Sequence, residues 1–272
     1  RILDVDLKKK TIKCEPGVTM GQITHDLVPK GYALMIQVEM ESITIGGVSM
    51  GFGMETNSHT HGFFQESVVE YELVVPSGEV MTVNAANDPD LFYALPWSAG
   101  TLGFLTAVTV KIIPTKPFVR VTYIPTHSPE EMAAQIKMNA EAARGPTFLE
   151  ATLYTKNDGV VQVANFVDAP STPDEHALVN PINRWYKPFY FKWVETFLDK
   201  NGGEEIIPLM DYYHRFTRSI FWELEDMIPF SNHPLYRVLW GWMGPPEVSL
   251  LKLLQGPVIR KASVYAHVVQ ES

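Results

Sequence analysis

The chain has 272 residues, of which 46% are hydrophobic and 19% are charged, so it is long and apolar enough to bury a substantial core. With 22 basic and 31 acidic side chains its net charge is −9, which argues against a generic nucleic-acid-binding protein, because such proteins need a basic surface. A single cysteine, Cys14, excludes an internal disulfide framework and any cysteine-rich metal site.

The first hundred or so residues predict short strands joined by tight turns. Thr19 is expected to cap a helix that runs to about Lys30, and Asp88 to cap a shorter helix that begins with a proline. A long apolar, β-branched strand over residues 104–113 ends this part. The remaining strand patterns pair as two hairpins, residues 2–6 with 11–15 and residues 70–75 with 79–83.

A second module is predicted from residue 118, where it begins with a strand. Ser128, followed by proline and two glutamates, predicts a capped helix that runs to about Arg144. Strand patterns over residues 147–154 and 159–167 then form a hairpin over an Asp-Gly turn. Helices combined with antiparallel strands in this order predict an α+β fold.

Aromatic residues are concentrated in the last third of the chain. Residues 185–193 contain six aromatic side chains, a density that soluble cores seldom require in so short a segment. Lys187 and Lys192 interleave with the rings, a combination that suits a membrane–water boundary. The segment is therefore interpreted as a wall of an apolar cavity, as an interfacial surface, or as ordinary core packing.

The strongest chemical motif is residues 44–59, with four glycines between positions 46 and 53. Glycines let the backbone approach a phosphate closely and turn several N–H donors toward it. The spacing matches neither the Rossmann fingerprint nor the Walker loop. A second glycine loop, residues 96–103, leads into the long strand, and two such loops together predict a cofactor with a phosphate-bearing tail. A plain glycine-rich bend is the alternative interpretation.

Together with flanking motifs, the two loops resemble flavoproteins of the vanillyl-alcohol-oxidase type. The motifs that are general to these flavoproteins are residues 44–47, 71–78, 90–94 and 98–103. Further motifs resemble the more specific pattern of the Δ24-sterol reductases: residues 15–22, 96–103, 212–215, 217–223, 241–243, 245–246, 249–252, 255–256 and 267–270. The resemblance covers essentially the whole chain. Two departures are His61, where the family usually has tyrosine, and Phe216, where it usually has histidine.

The resemblance implies that residues 1–117 are the second part of a PCMH-type FAD-binding domain and residues 118–272 the first part of a substrate or cap domain. The chain begins inside a strand pattern without an initiator methionine and stops without a closing turn. We therefore expect an internal piece of a longer protein. By resemblance, the rest comprises an upstream FAD subdomain, an N-terminal membrane anchor and a C-terminal stretch that completes the substrate pocket.

Non-covalent FAD, with NADPH as electron donor, is the cofactor set that the resemblance implies. His59 and His61 have neither further ligands at suitable spacing nor an intervening glutamate, so no metal is predicted. The residues expected to bind FAD are Thr44, Ile45, Gly46, Gly47, Val48, Ser49, Met50, Gly51, Phe52, Gly53, Met54, Glu55, Thr56, Ser58, His59, Ser98, Gly100, Thr101 and Gly103.

The activity that the resemblance implies is reduction of the carbon 24–25 double bond of a sterol side chain, at the endoplasmic reticulum or Golgi membrane. Tyr212 or His214 is expected to donate the proton, since both side chains suit general-acid work. The alternatives are an FAD-dependent oxidase of a polyol or sugar lactone, and a non-catalytic sterol-binding protein on the same fold.

Overall fold

The computed structural model describes residues 1–243. Within this range the strands form two antiparallel sheets, one of six strands that ends at Pro114 and one of four strands that begins at Phe118. Helices pack against both sheets, so the predicted α+β class is confirmed.

The first sheet is built around its longest strand, β6, which pairs with three others. Its order is β1-β2-β6-β4-β5, and β3 pairs with the end of β6. Both predicted hairpins are present, whereas β3 was not predicted. The strands are β1 (Ile2–Asp6), β2 (Thr11–Cys14), β3 (Tyr32–Leu34), β4 (Val68–Val74), β5 (Val80–Val83) and β6 (Phe104–Pro114).

The second sheet has the order β10-β7-β9-β8. The predicted hairpin over the Asp-Gly turn is β8 with β9, while β10, which covers the other edge of β7, was not predicted. The strands are β7 (Phe118–Thr126), β8 (Phe148–Leu153), β9 (Gly159–Val167) and β10 (Gly203–Pro208).

The helices are short and mostly begin at the capping residues that the sequence indicates. Thr19 and Ser128 each accept a backbone hydrogen bond at the start of α1 and α5. The helix predicted to reach Arg144 ends at Ala140, and residues 141–147, which include a turn at 143–144, lead to β8. The α-helices are α1 (Met20–Leu27), α2 (Ile45–Met50), α3 (Ser58–His61), α4 (Pro89–Ala94), α5 (Pro129–Ala140), α6 (Pro173–Ala177), α7 (Tyr190–Asp199), α8 (Leu209–Tyr213), α9 (Glu223–Met227) and α10 (Pro234–Trp240).

Each sheet has its own hydrophobic core. The aromatic segment 185–193 divides between core and surface: Phe189 and Tyr190 are buried, whereas Trp185 and Tyr186 are 42% and 48% exposed. Ordinary core packing therefore accounts for only part of this segment. Among the helices of residues 1–243, none combines the length and the apolar run needed to cross a bilayer.

Candidate functional site

A cavity of about 830 Å³ lies where the glycine motif, residues 44–59, meets α5 and β8. Below, the first part of the chain means residues 1–117, and the second part means the residues from 118 onward. Its volume is within the range of pockets that hold cofactors and small molecules. Most of its wall is apolar. The aliphatic, methionine and aromatic side chains that line it are Val38, Met40, Ile43, Val48, Phe52, Met54, Ile136, Leu149 and Phe221.

The start of the glycine motif is a helix rather than an open loop. Thr44 caps α2 by accepting a hydrogen bond from the Gly47 N–H at 3.3 Å. The Gly46 N–H donates to the Pro16 carbonyl at 2.9 Å, and a Cβ at Gly46 would lie 2.4 Å from the Pro16 Cβ. Gly46 is therefore required by the close packing of α2 against Pro16, whatever the cavity holds.

Gly47 is the glycine of this motif whose missing side chain leaves room inside the cavity. A Cβ there would meet only the Thr44 hydroxyl oxygen, at 3.1 Å. At Gly53 a Cβ would lie 2.8 Å from the Phe64 Cβ, and at Gly51 it would lie 2.8 Å from the Gly47 carbonyl oxygen. Those two glycines are needed by the protein's own packing.

The second glycine loop packs onto the end of α2. The Trp97 ring stacks on Phe52 with 4.4 Å between centroids, and the Ala99 N–H donates to the Met50 carbonyl at 3.0 Å. The loop thus lies beside the glycine motif, as the resemblance implies, but it does not form the cavity wall. The predicted FAD-binding residues of this loop that lie outside the wall are Ser98, Gly100, Thr101 and Gly103.

The predicted FAD-binding residues of the first motif divide into two groups. The first group lines the cavity: Gly47, Val48, Phe52, Gly53, Met54, Glu55, Thr56, Ser58 and His59. The second group forms or caps α2 outside the wall: Thr44, Ile45, Gly46, Ser49, Met50 and Gly51. Contact with FAD stays a prediction for both groups.

A cluster of charged residues that the sequence did not predict lies at one end of the cavity. Glu39, Glu55 and Glu150 line the wall, and the buried Arg215, 2% exposed, lies behind them. Arg215 Nη2 donates to Glu39 Oε1 at 2.9 Å and to Glu150 Oε2 at 2.8 Å. The guanidinium also stacks on the Tyr212 ring at 4.4 Å. We call these three glutamates and Arg215 the carboxyl cluster.

The carboxyl cluster holds more carboxyl groups than cations, and its pKa values reflect this imbalance. Burial, followed by the charge of Glu39 and a hydrogen bond with its carboxylate, raises the pKa of Glu55 well above its usual range. Burial also raises the pKa of Glu150, although the nearby Arg215 charge opposes that shift. The cluster is therefore able to keep a proton at neutral pH.

His214 connects the two parts of the chain. Its Nδ1–H donates to the Glu39 carbonyl at 2.9 Å, so Nε2 is left as an acceptor for the Thr24 hydroxyl at 2.6 Å. Burial lowers the pKa of His214 to about 4, which keeps the ring neutral. Both ring nitrogens are therefore engaged and the ring does not line the cavity, so the role of His214 as proton donor stays a prediction.

Tyr212 is buried beneath Arg215 and likewise does not line the cavity. Burial raises the pKa of its hydroxyl, so the group stays protonated. Its role as proton donor stays a prediction.

Two further hydrogen bonds join the glycine motif to the second part of the chain. The Leu149 N–H donates to the Thr56 carbonyl at 2.7 Å, and His59 Nε2 donates to the Pro146 carbonyl at 2.9 Å. These bonds fix the wall that carries Glu55 against the strand that carries Glu150. In the part of the chain that the structure describes, no three histidine, cysteine or acidic side chains come together as a metal site.

Comparison with known proteins first defines the class. Residues 1–84 match the model of the FAD binding domain, so this part of the chain has the sequence of an FAD-binding domain. The glycine motif that forms α2 and the cavity wall lies inside the matched range. FAD is thus the cofactor that this domain indicates.

The particular relatives are Delta(24)-sterol reductases. The chain is 44% identical over 271 residues to the Delta(24)-sterol reductase of Homo sapiens and 42% identical over 281 residues to the Delta(24)-sterol reductase homolog of Caenorhabditis elegans. It is 36% identical over 277 residues to the Delta(24)-sterol reductase of Arabidopsis thaliana. Each match covers 99% of this chain and 52%, 53% and 49% of the relative, so the chain spans about half the length of these relatives. The resemblance found in the motifs is confirmed: the chain is similar to Delta(24)-sterol reductases over nearly its whole length.

Proposed function

We propose that this chain is part of an FAD-dependent reductase that saturates the carbon 24–25 double bond of sterol side chains, with NADPH as electron donor. The observation that carries the proposal is the similarity, over 99% of the chain, to proteins named Delta(24)-sterol reductase from two animals and a plant. The match of residues 1–84 to the FAD binding domain supports FAD as the redox group.

The chemistry of the cavity fits an uncharged ring system and an apolar substrate. Gly47 leaves space at the wall, and Phe52 and Met54 provide apolar surface beside it. The carboxylates of Glu39 and Glu150 would repel a pyrophosphate, so we expect the phosphates of FAD to lie outside the cavity and the flavin ring to lie within it. When bound, FAD supplies hydride transfer, while the protein supplies position and electrostatics.

The protein's contribution is to hold the sterol side chain and to keep water away from it. Ile43, Leu149 and Phe221 give the cavity an apolar lining suited to a branched hydrocarbon. An isolated alkene has no adjacent carbonyl to polarise it, so an acid must stand close to the carbon that receives the proton.

The test uses the full-length protein with FAD, held without oxygen. NADPH should bleach the flavin absorbance, and desmosterol should then restore it with formation of cholesterol. Reoxidation only after oxygen is admitted would instead identify an oxidase of the polyol or lactone type. Failure of NADPH to bleach the flavin, with sterol still bound, would identify a sterol-binding protein.

By resemblance we also propose the endoplasmic reticulum membrane as the site of action, reached through an N-terminal anchor outside this chain and through part of the aromatic segment 185–193. The exposed rings of Trp185 and Tyr186 support the second contact, because tryptophan and tyrosine favour the membrane–water boundary. Substituting both with serine in the full-length protein should weaken sedimentation with lipid vesicles. Unchanged sedimentation would remove the segment from the membrane contact.

A further inference from the structure

The carboxyl cluster has three acidic groups and one cation. Arg215 forms ion pairs with Glu39 and Glu150 but not with Glu55. Arg215 donates to Glu39 and to Glu150 through Nη2, and its Nη1 donates to the Tyr212 carbonyl. Among residues 1–243 the Glu55 carboxyl group forms no ion pair with a cation, and it shares the cavity wall with the Glu39 carboxylate, whose charge helps to raise its pKa. A single Arg215 nitrogen, Nη2, thus contacts both Glu39 and Glu150, and Glu55 is the glutamate of the cluster that it does not contact.

A hydrogen bond between two carboxyl groups requires a proton between them. An ionised carboxylate has acceptors only, so Glu55 and Glu39 can bond to each other only if one of them is protonated. Because Glu39 is the one that Arg215 contacts at 2.9 Å, the proton belongs on Glu55. Glu55 lines the cavity beside Gly53 and Met54, so its carboxyl group is within reach of a molecule held there.

We propose that Glu55 and Glu39 form a carboxyl pair that holds one proton at the cavity wall, and that Glu55 delivers this proton to the sterol alkene. The inference rests on the proposed function and names the acid that the reaction needs. The predicted donors Tyr212 and His214 lie behind the wall, whereas Glu55 is part of it. Rotation about the terminal bond of the glutamate, which is a soft torsion, turns the O–H from Glu39 toward the cavity.

The reaction balances with groups already named. One alkene carbon gains the hydride, whose electrons come from NADPH through the flavin, and the other carbon gains the Glu55 proton. The electron pair of the carbon–carbon π bond forms one new C–H bond, and the hydride pair forms the other. The electron pair of the broken O–H bond stays on Glu55 as a carboxylate, which the positive charge of Arg215 stabilises and which solvent reprotonates between turnovers.

The groups that act on Glu55 come from several parts of the chain. Glu39 precedes α2, Glu150 lies on β8, and Arg215 follows α8. His59 lies on the same wall as Glu55. Two further titratable groups lie behind the wall close to the cluster, Tyr212 and His214.

The experiment compares Glu55→Gln with Glu79→Gln in the full-length protein loaded with FAD. Glutamine keeps the shape of Glu55 and removes its acidic proton, while Glu79 is exposed in the turn before β5 and serves as the matched control. Stopped-flow absorbance measures flavin reduction by NADPH and flavin reoxidation by desmosterol separately. In Glu55→Gln we expect unchanged reduction and a reoxidation rate about 10²–10⁴-fold lower, the usual contribution of a general acid. In Glu79→Gln we expect both rates to be unchanged.

A second readout does not require turnover. Infrared spectroscopy of the wild-type protein at neutral pH should show the C=O stretch of a buried protonated carboxyl group, shifted in deuterium oxide. The band should disappear in Glu55→Gln and persist in Glu79→Gln. Its absence from the wild-type protein would overturn the carboxyl pair, even where Glu55→Gln fails to fold.

The outcomes separate this inference from the proposed function. Reoxidation of Glu55→Gln at the wild-type rate overturns Glu55 as the donor while leaving the reductase intact. Failure of desmosterol to reoxidise the wild-type flavin overturns the proposed function and with it the delivery step. The infrared band then decides by itself whether the carboxyl pair holds a proton.

Discussion

Removal of Arg215 should destabilise the protein more than removal of a surface arginine, because it leaves Glu39 and Glu150 without their cation. Arg215 is 2% exposed and contacts the two carboxylates at 2.9 and 2.8 Å. Loss of one partner from a buried ion pair costs about 3–5 kcal/mol. At about 2–4 °C per kcal/mol for a domain of this size, Arg215→Met should lower Tm by about 6–20 °C.

The loss of stability in Arg215→Met should also depend on pH. The direction of this dependence follows from the pKa values of the carboxyl groups that Arg215 contacts. In the wild-type protein the Arg215 charge opposes the rise that burial causes in the pKa of Glu150, so without this cation the pKa lies further above that of the unfolded chain. The folded protein then binds more protons than the unfolded one, so its stability falls as pH rises through this range. We therefore expect a smaller deficit for Arg215→Met at mildly acidic pH than at pH 8.

Urea unfolding of the full-length protein, followed by tryptophan fluorescence at several pH values, measures both effects. Arg215→Lys, which keeps the charge but loses the guanidinium that contacts two carboxylates and the Tyr212 carbonyl, should lie between wild type and Arg215→Met. Arg144→Met, at an exposed position after α5, should change the free energy of unfolding very little. A deficit for Arg215→Met below about 1 kcal/mol, or one that does not vary with pH, would refute the electrostatic reasoning.

Further predictions concern the glycine motif and His214. Gly46→Ala should lower the free energy of unfolding by about 1–3 kcal/mol because its Cβ would lie 2.4 Å from the Pro16 Cβ, as urea unfolding can measure. Gly47→Val should cost less stability but reduce flavin retention on gel filtration, since its side chain enters the cavity; full retention would contradict this assignment. The pKa of His214 is lowered to about 4, so wild-type stability should fall as pH decreases from about 6.5 toward 4, because the unfolded chain takes up a proton that the folded one does not. His214→Gln should lack that contribution, and equal pH slopes for the two proteins would contradict the burial of a neutral ring.

Local patterns predicted much of the fold because they depend on neighbouring residues. The Asp-Gly turn and the strand alternation around it indicated the hairpin of β8 and β9, and Ser128 marked the start of α5. The three-residue strand β3 is too short for a periodic pattern, and it forms because it pairs with the end of β6. Its existence depends on a partner far along the chain, which no local pattern contains.

The site was predictable to the extent that it lies within one segment. The glycine motif indicated the wall around Gly47 and Glu55, but α2 within it was not expected, because its glycines disfavour a helix and only the Thr44 cap and packing stabilise one. Nothing in the spacing of Glu39, Glu150 and Arg215 indicates a cluster, since Glu39 and Arg215 are 176 positions apart. Of these, only Arg215 lies in a recognisable motif.

The separation of 176 positions between Glu39 and Arg215 affects how the chain folds while it is being synthesised. Ribosomes add about 5–20 residues per second, so roughly 9–35 s pass after Glu39 is synthesised before Arg215 exists. During this interval the nascent chain carries Glu39 without its counterion, and hydration of the Glu39 and Glu55 carboxyl groups opposes closure of the apolar wall around them. The final assembly of the cavity is thereby delayed until the second part has emerged.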